Sequence, residues 1–399
     1  MYNSRDFINI DEQFGAHNYH PIAVVIAKAK GPWVWDVEGK KYLDCLSAYS
    51  AVNQGHLHPK IVKALTDQLS RVALTSRAFH NDRMGLYLKR LLAVCGEGFD
   101  MALPMNTGAE AVETAIKMAR RWGYEIKGVE KDKAEIIVCN DNFHGRTTTI
   151  VGFSTDPDAF TNYGPYTPGF KLIPFNDIPA LEQAITKNTV AFLVEPIQGE
   201  AGVMVPSSGY LKKIREICTQ NNILLILDEI QTGFCRTGKM FCHQHEGIVP
   251  DVMTLGKALG GGLLPVSAVV SRKEIMKVFT PGSHGSTFGG FPLACAVGEA
   301  ALEVLIEEKL ADRALQLGEF FISELKKIKH PRIKEIRGKG LLVAVELHEK
   351  SRPFTEQLIK RGILAKETHD YTIRFAPPLV VQKEDLAWAL EHIKEVLGS

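Results

Sequence analysis

The sequence predicts an α/β protein: a large domain whose mostly parallel sheet is covered by helices, followed by a smaller α+β domain. Between residues 100 and 300, short apolar runs at 135–139, 190–195, 223–228 and 265–270 alternate with periodic stretches such as 209–220. That alternation is the signature of parallel strands joined through helices. Beyond residue 300 the pattern changes. A helical stretch over 294–327 precedes strand-like pieces at 341–347 and 372–376, and Leu386, Leu390, Ile393 and Leu397 then mark one face of a closing helix. At the other end, 33–37 and 41–44 flank Glu38-Gly39 as a short hairpin. The expected organisation is an N-terminal segment (1–48) packing with the small domain, a large domain (49–300) and a small C-terminal domain (301–399).

Composition narrows the functional classes. A chain of 399 residues that is 45% hydrophobic buries a core large enough to enclose a ligand. Its 47 Lys and Arg against 46 Asp and Glu argue against nucleic acid or an anionic membrane as partner. The longest apolar stretches, such as 223–227, are too short to span a bilayer. Asp6, Asp11 and Glu12, with no apolar h-region, fit neither a secretory signal nor a transit peptide, so a cytoplasmic location is expected. The seven cysteines form no Cys-x-x-Cys pair, so neither a disulfide framework nor a metal site is expected.

Several constellations carry chemistry. In Asn106-Thr107-Gly108-Ala109-Glu110, Thr107 and Glu110 have capping-box spacing, and Ala111, Ala115, Met118, Ala119 and Trp122 share the face of the helix that follows. Gly108 and Ala109 would then offer free backbone N–H groups to an anion, although an ordinary helix start is the plainer reading of that cap alone. Asp228 and Glu229 end an apolar run, where parallel sheets bind ligands. A buried acid there needs a partner, a structural role being an equal alternative. Lys257 lies between Leu255-Gly256 and Ala258-Leu259, before three glycines. The order is wrong for a phosphate-binding P-loop. Burial would lower the lysine's pKa and make it an amine nucleophile, whereas a snorkelling surface lysine is the bland reading.

After the run at 135–139, Phe143 could stack on a planar ring and Arg146 could grip a carboxylate, or they could be a core aromatic and a solvent-facing cation. His144 draws no acid–base role. Glu200 and Arg374 each stand among apolar or turn residues, and pairing is the economical way to bury them.

In this order and spacing, the segments resemble the class III aminotransferases, built on the fold-type I architecture of pyridoxal-phosphate enzymes. The likeness runs from about Gly15 to the C-terminus and is strongest at 15–21, 47–59, 105–111, 195–202, 228–238, 256–258 and 374–379. It implies that Lys257 holds pyridoxal 5'-phosphate as a Schiff base and shuttles protons, while Asp228 keeps the ring nitrogen protonated. Gln231 would reach the ring hydroxyl, Phe143 would stack on the ring, and Glu195 would support the pocket. Gly108 and Ala109 would bind the phosphate, joined by Thr287 of a neighbouring copy in a homodimer. Arg146 and Arg374 would bind substrate carboxylates. Tyr19 and Tyr49, in motifs typical of the ornithine-using branch, would orient the substrate's α-amino and α-carboxylate end.

The activity so implied is transfer of the δ-amino group of ornithine to 2-oxoglutarate, with amino acids and 2-oxo acids as the only partners. Acetylornithine or 4-aminobutyrate as donor remains an alternative, as does a pyridoxal-phosphate decarboxylase or mutase. Two positions depart from the pattern. His144 replaces a tryptophan frequent in the branch, with an expected effect on substrate packing and none on chemistry. Phe291 replaces the usual asparagine after Gly289-Gly290, which bears on the loop beside Thr287.

Overall fold

The computed structural model describes residues 2–398. Strands β1 (Ile26–Lys30), β2 (Trp33–Asp36) and β3 (Lys41–Asp44) form an antiparallel meander. Its β2–β3 hairpin pairs Trp33 with Leu43 and Trp35 with Lys41 across the turn.

The central sheet has seven strands: β4 (Met101–Met105), β5 (Glu135–Cys139), β6 (Phe170–Ile173), β7 (Thr189–Val194), β8 (Leu224–Asp228), β9 (Val252–Leu255) and β10 (Ser267–Ser271). Their spatial order is β4-β10-β9-β8-β7-β5-β6. Strands β9, β8, β7, β5 and β6 pair in parallel, and β10 runs antiparallel to both β9 and β4. Every residue of β7 and β8 is buried, as their unbroken apolar runs require of strands covered on both faces. The helix Gly108–Trp122 packs on one side with Ala111, Ala115, Met118, Ala119 and Trp122 buried, and Tyr210–Gln220 covers the other with Leu211, Ile214 and Ile217.

The last third carries an antiparallel sheet of β11 (Ile333–Lys339), β12 (Leu342–Leu347), β14 (Lys366–Thr368) and β15 (Thr372–Phe375), ordered β11-β12-β15-β14. Between β12 and β14, β13 (Ile363–Leu364) joins the N-terminal sheet, in parallel with β3. One apolar cluster contains Leu43, Leu255, Leu341, Phe375 and Leu397, so the first and last segments share a core with the central sheet. The seven cysteines are free and buried.

One expectation is corrected. The periodic stretch at 294–327 is two helices, Pro292–Glu307 and Leu310–Leu325, separated at Lys309, whose φ is +51°. No glycine or proline marks that break, and the apolar pattern continues through it.

A second irregularity has greater weight. Ser47, Ala48, Tyr49 and Ser50 have φ of +49°, +45°, +60° and +71°, one turn of left-handed helix closed by Ala51 N–H donating to the Ser47 carbonyl at 2.9 Å. The left-handed form costs roughly 1–2 kcal/mol per non-glycine residue, so the surroundings must offset several kcal/mol here.

Candidate active site

Four neighbouring strands deliver side chains from their carboxyl ends to one cavity, the place where open α/β sheets bind ligands. Asp228 is the last residue of β8, Glu195 follows β7, Phe143 and His144 follow β5, and Lys257 follows β9. The cavity, about 190 Å³, is also lined by Gly108, Ala109, Glu200, Ile230 and Gln231. Eight of the thirteen site residues expected from sequence therefore meet in it: Gly108, Ala109, Phe143, Glu195, Glu200, Asp228, Gln231 and Lys257.

Asp228 is held from three directions. Its Oδ1 accepts from Thr254 Oγ1 and from the Ile230 N–H, both at 3.1 Å, and its Oδ2 accepts from His144 Nδ1 at 2.6 Å. A carboxylate cannot donate, so Nδ1 carries the proton in that bond. The His144 side chain is fully buried and its Nε2 has no partner. Burial opposes protonation of His144, but the hydrogen bond and charge of Asp228 outweigh it and raise the pKa. The expectation that His144 affects packing alone is thereby corrected: it touches the carboxylate at the centre of the site. Glu195, also buried, accepts the Phe143 N–H at 3.1 Å. Burial pushes its carboxyl up to about 8, with the nearby Asp228 charge adding to the shift. The two acids thus take opposite parts, Glu195 neutral near pH 7 and Asp228 tied to donors.

Glu229, next to Asp228, points elsewhere. Its carboxylate accepts from Thr232 Oγ1 and from the N–H groups of Cys242 and His243, which fixes the loop after β8. The structural reading of that acid holds.

The Lys257 amine is enclosed, and what surface it keeps faces the cavity. Burial lowers its pKa, against the pull of Glu200 and Asp228. Glu200 accepts from Arg374 NH1 at 2.6 Å and from Gln231 Nε2 at 2.9 Å through the same oxygen. Burial alone would raise the Glu200 pKa, but Arg374 and Lys257 hold it below the ordinary carboxylate range. The Tyr49 ring covers Arg374 with its centroid 4.9 Å from the guanidinium carbon. Gly199 makes this cluster possible, because a Cβ there would lie 1.4 Å from Gln231 Oε1.

At the opposite end, the capping box is formed: Thr107 Oγ1 accepts the Glu110 N–H at 3.2 Å and Glu110 returns the contact to the Thr107 N–H at 2.7 Å. The Gly108 and Ala109 N–H groups, in the first turn, have no intrahelical acceptor. Gly145 sits against this turn, where a Cβ would lie 2.8 Å from Ala109 Cβ.

Of the other five expected residues, Arg374 and Tyr49 adjoin the cavity through Glu200, and three lie apart from it. Arg146 is exposed and lines a wider depression that shares Phe143 and Glu200 and extends to Lys366 and Tyr371. Tyr19 is 74% exposed. Thr287 lines a separate depression with Leu74, Arg77 and Ser286, and Phe291, stacked edge-on against Phe288 at 5.3 Å, starts the helix after it.

The donor set suits pyridoxal phosphate. It combines free N–H groups for a phosphate, apolar lining from Phe143 and Ile230 for a ring, a fixed carboxylate for a protonated ring nitrogen and an amine of lowered pKa for an aldehyde. Among the described residues no cluster of His, Cys, Asp or Glu is placed to hold a metal ion, and no helix is long and apolar enough to cross a membrane.

Comparison with known proteins agrees with this geometry. Residues 14–397 match the model of the family described as Aminotransferase class-III. The ornithine aminotransferase of Brevibacillus brevis is 60% identical over 386 residues, 97% of this chain and 96% of that one. A crystal structure of the ornithine aminotransferase from Toxoplasma gondii, with partial occupancy of PLP at its active site, superposes with a TM-score of 0.97 at 48% identity, covering 99% of this chain and 94% of the other. The acetylornithine aminotransferase from Elizabethkingia anophelis superposes at 0.91 with 50% identity, covering 100% and 99%.

Proposed function

The chain belongs to the class III aminotransferases, and on that premise we propose that it moves the δ-amino group of L-ornithine to 2-oxoglutarate, giving glutamate-5-semialdehyde and glutamate in a ping-pong cycle. It is a pyridoxal-phosphate-dependent transaminase. The bound cofactor supplies an electron sink for the carbon that gives up its proton.

The roles of the chain's own residues follow from their chemistry. Lys257 would hold the cofactor through its amine and, when free and neutral, would accept and return the proton that leaves the substrate's δ-carbon. A lysine of lowered pKa is suited to that relay. Asp228 would keep the ring nitrogen protonated through its negative charge, and the ring cation so maintained would draw electron density from the reacting carbon. His144 keeps Asp228 aimed. Glu195, neutral near pH 7, adds no second negative charge beside it. Gly108 and Ala109 would bind the phosphate, Phe143 would cover the ring, and Gln231 would reach the ring hydroxyl.

The observation that carries the choice of donor is the 2.6 Å Glu200–Arg374 pair. The reacting carbon of ornithine bears no carboxylate, and an arginine already neutralised there does not attract the α-carboxylate end to it. Tyr19, Tyr49 and Arg146 take that other end. In the second half-reaction the carboxylate beside the keto carbon of 2-oxoglutarate claims Arg374, and Glu200 yields. Breaking a buried pair costs about 3–5 kcal/mol, which the arriving carboxylate must offset.

Thr287, exposed in the depression that Leu74 also lines, would complete the phosphate site of a second copy in a homodimer. Seven buried free thiols fit a cytoplasmic location.

A visible spectrum tests the reading. Purified protein loaded with the cofactor should be yellow and bleach on addition of ornithine, with glutamate formed stoichiometrically from 2-oxoglutarate. A protein that cannot be loaded would overturn it. Faster turnover with acetylornithine or 4-aminobutyrate would move the donor to those amines.

A further inference from the structure

The left-handed turn at Ser47–Ser50 has no local cause. None of its four residues is glycine, and L-residues do not enter this region in succession unless contacts elsewhere impose it. The contacts are specific. Asp44 Oδ1 accepts the N–H groups of Leu46 and Ser47 at 2.9 and 2.8 Å, which fixes the entry to the turn. Ser47 Oγ donates to the Ala376 carbonyl at 2.6 Å, and the Ala376 N–H donates to the Cys45 carbonyl, also at 2.6 Å. Ala376 follows β15, which carries Arg374, by one residue. The clasp therefore ties the turn to the strand whose arginine Tyr49 covers.

The far side of the turn is tied to the lysine. Gln54 Nε2 donates to the Ala258 carbonyl at 2.9 Å, one residue beyond Lys257. The segment thus bridges the Glu200–Arg374 pair and the Lys257 loop. A right-handed turn over the same four residues would send the Tyr49 side chain in another direction, away from the guanidinium.

We propose that Asp44 and Ser47 are positioning residues for donor selectivity: they hold the left-handed turn that keeps Tyr49 over Arg374, and so keep Arg374 on Glu200 while the donor is bound. This rests on the reading of the Glu200–Arg374 pair given above. A glycine-based turn would hold itself. A turn built of Ser, Ala, Tyr and Ser persists only while the clasp to Ala376 persists, so the Tyr49 cover is coupled to the position of β15.

The test is the ratio of δ- to α-amino transfer from ornithine by the loaded enzyme. Ser47→Ala should lower that ratio about fivefold, the size of effect expected from one buried hydrogen bond. The KM for ornithine should rise while kcat with 2-oxoglutarate stays within about twofold. Adding Ala48→Gly to Ser47→Ala removes backbone strain at φ +45° and should restore the ratio. Equal loss of both activities, an unchanged ratio, or no rescue by the glycine would each overturn the proposal. Should Ser47→Ala not accumulate as soluble protein, Asp44→Asn weakens the same clasp and should lower the ratio about twofold; a wild-type ratio there also overturns it. Wild-type enzyme that fails to convert ornithine sinks the donor reading and this proposal with it. Wild-type enzyme that converts ornithine beside insensitive variants sinks the proposal alone.

Discussion

His144 donates to Asp228 at 2.6 Å, and neither side chain meets solvent. No other protein hydrogen bond reaches Asp228 Oδ2 among the described residues, so removing the imidazole takes away the donor that orients this carboxylate. His144→Ala should lower kcat about 10- to 100-fold, the range for a hydrogen bond to a charged group. KM for both substrates should stay within about threefold, and His144→Asn should recover part of the loss. Single-turnover bleaching with ornithine reads the effect on the chemical step directly.

Glu200→Ala frees Arg374. Transfer from the α-amine of ornithine or glutamate should then rise relative to transfer from the δ-amine. Chromatography of the two products from ornithine settles it, and an unchanged ratio removes the pair from donor selection.

Gly199→Ala separates site from scaffold. A Cβ at residue 199 would displace only the far end of the Gln231 side chain. The protein should fold with its Tm nearly unchanged, yet lose the Gln231–Glu200 contact and bind the cofactor about tenfold more weakly. Titration of the apo-protein with the cofactor measures this, and a large fall in Tm would show that the residue supports the fold instead.

Glu195 gives a pH signature. Its carboxyl is pushed up to about 8 by burial, against an ordinary value of 4.5. The folded form therefore holds this proton across the interval where the unfolded chain has lost it. The contribution is complete below about pH 4.5 and disappears as pH rises through about 8. Glu195→Gln should flatten the loss of apo-protein stability over that interval. Urea midpoints at pH 5 and pH 8 check the sign, and parallel pH slopes in the two proteins would refute it.

Much of this was legible in the sequence, for physical reasons. A strand buried on both faces needs an unbroken apolar run, so β7 and β8 announced themselves, and Asp228 stood out as the charge at the tip of one. The capped helix at Gly108 was readable because its box is local. The need of Glu200 and Arg374 for partners was readable from charge, but their meeting was not. They are 174 residues apart and are joined only by the way β15 sits against the loop after β7. The contact of His144 with Asp228 was not legible because it depends on β5 and β8 flanking β7 in space. The left-handed turn at Ser47–Ser50 and the helix break at Lys309 left no trace in residue type, since neither contains the glycine such a backbone usually announces.

The seven sealed thiols divide among the layers of the fold. Cys45, Cys95, Cys235 and Cys295 lie in the core shared by the first and last segments, Cys139 and Cys218 lie beneath the helix layer on the far side of the central sheet, and Cys242 lies in a small cluster with Leu342 and Ala344. Burial raises the pKa of each, which disfavours the reactive thiolate in the folded state. The molecule thus carries its own set of unfolding reporters: the order in which a maleimide marks these positions in rising urea records which layer comes apart first, with no label built in beforehand.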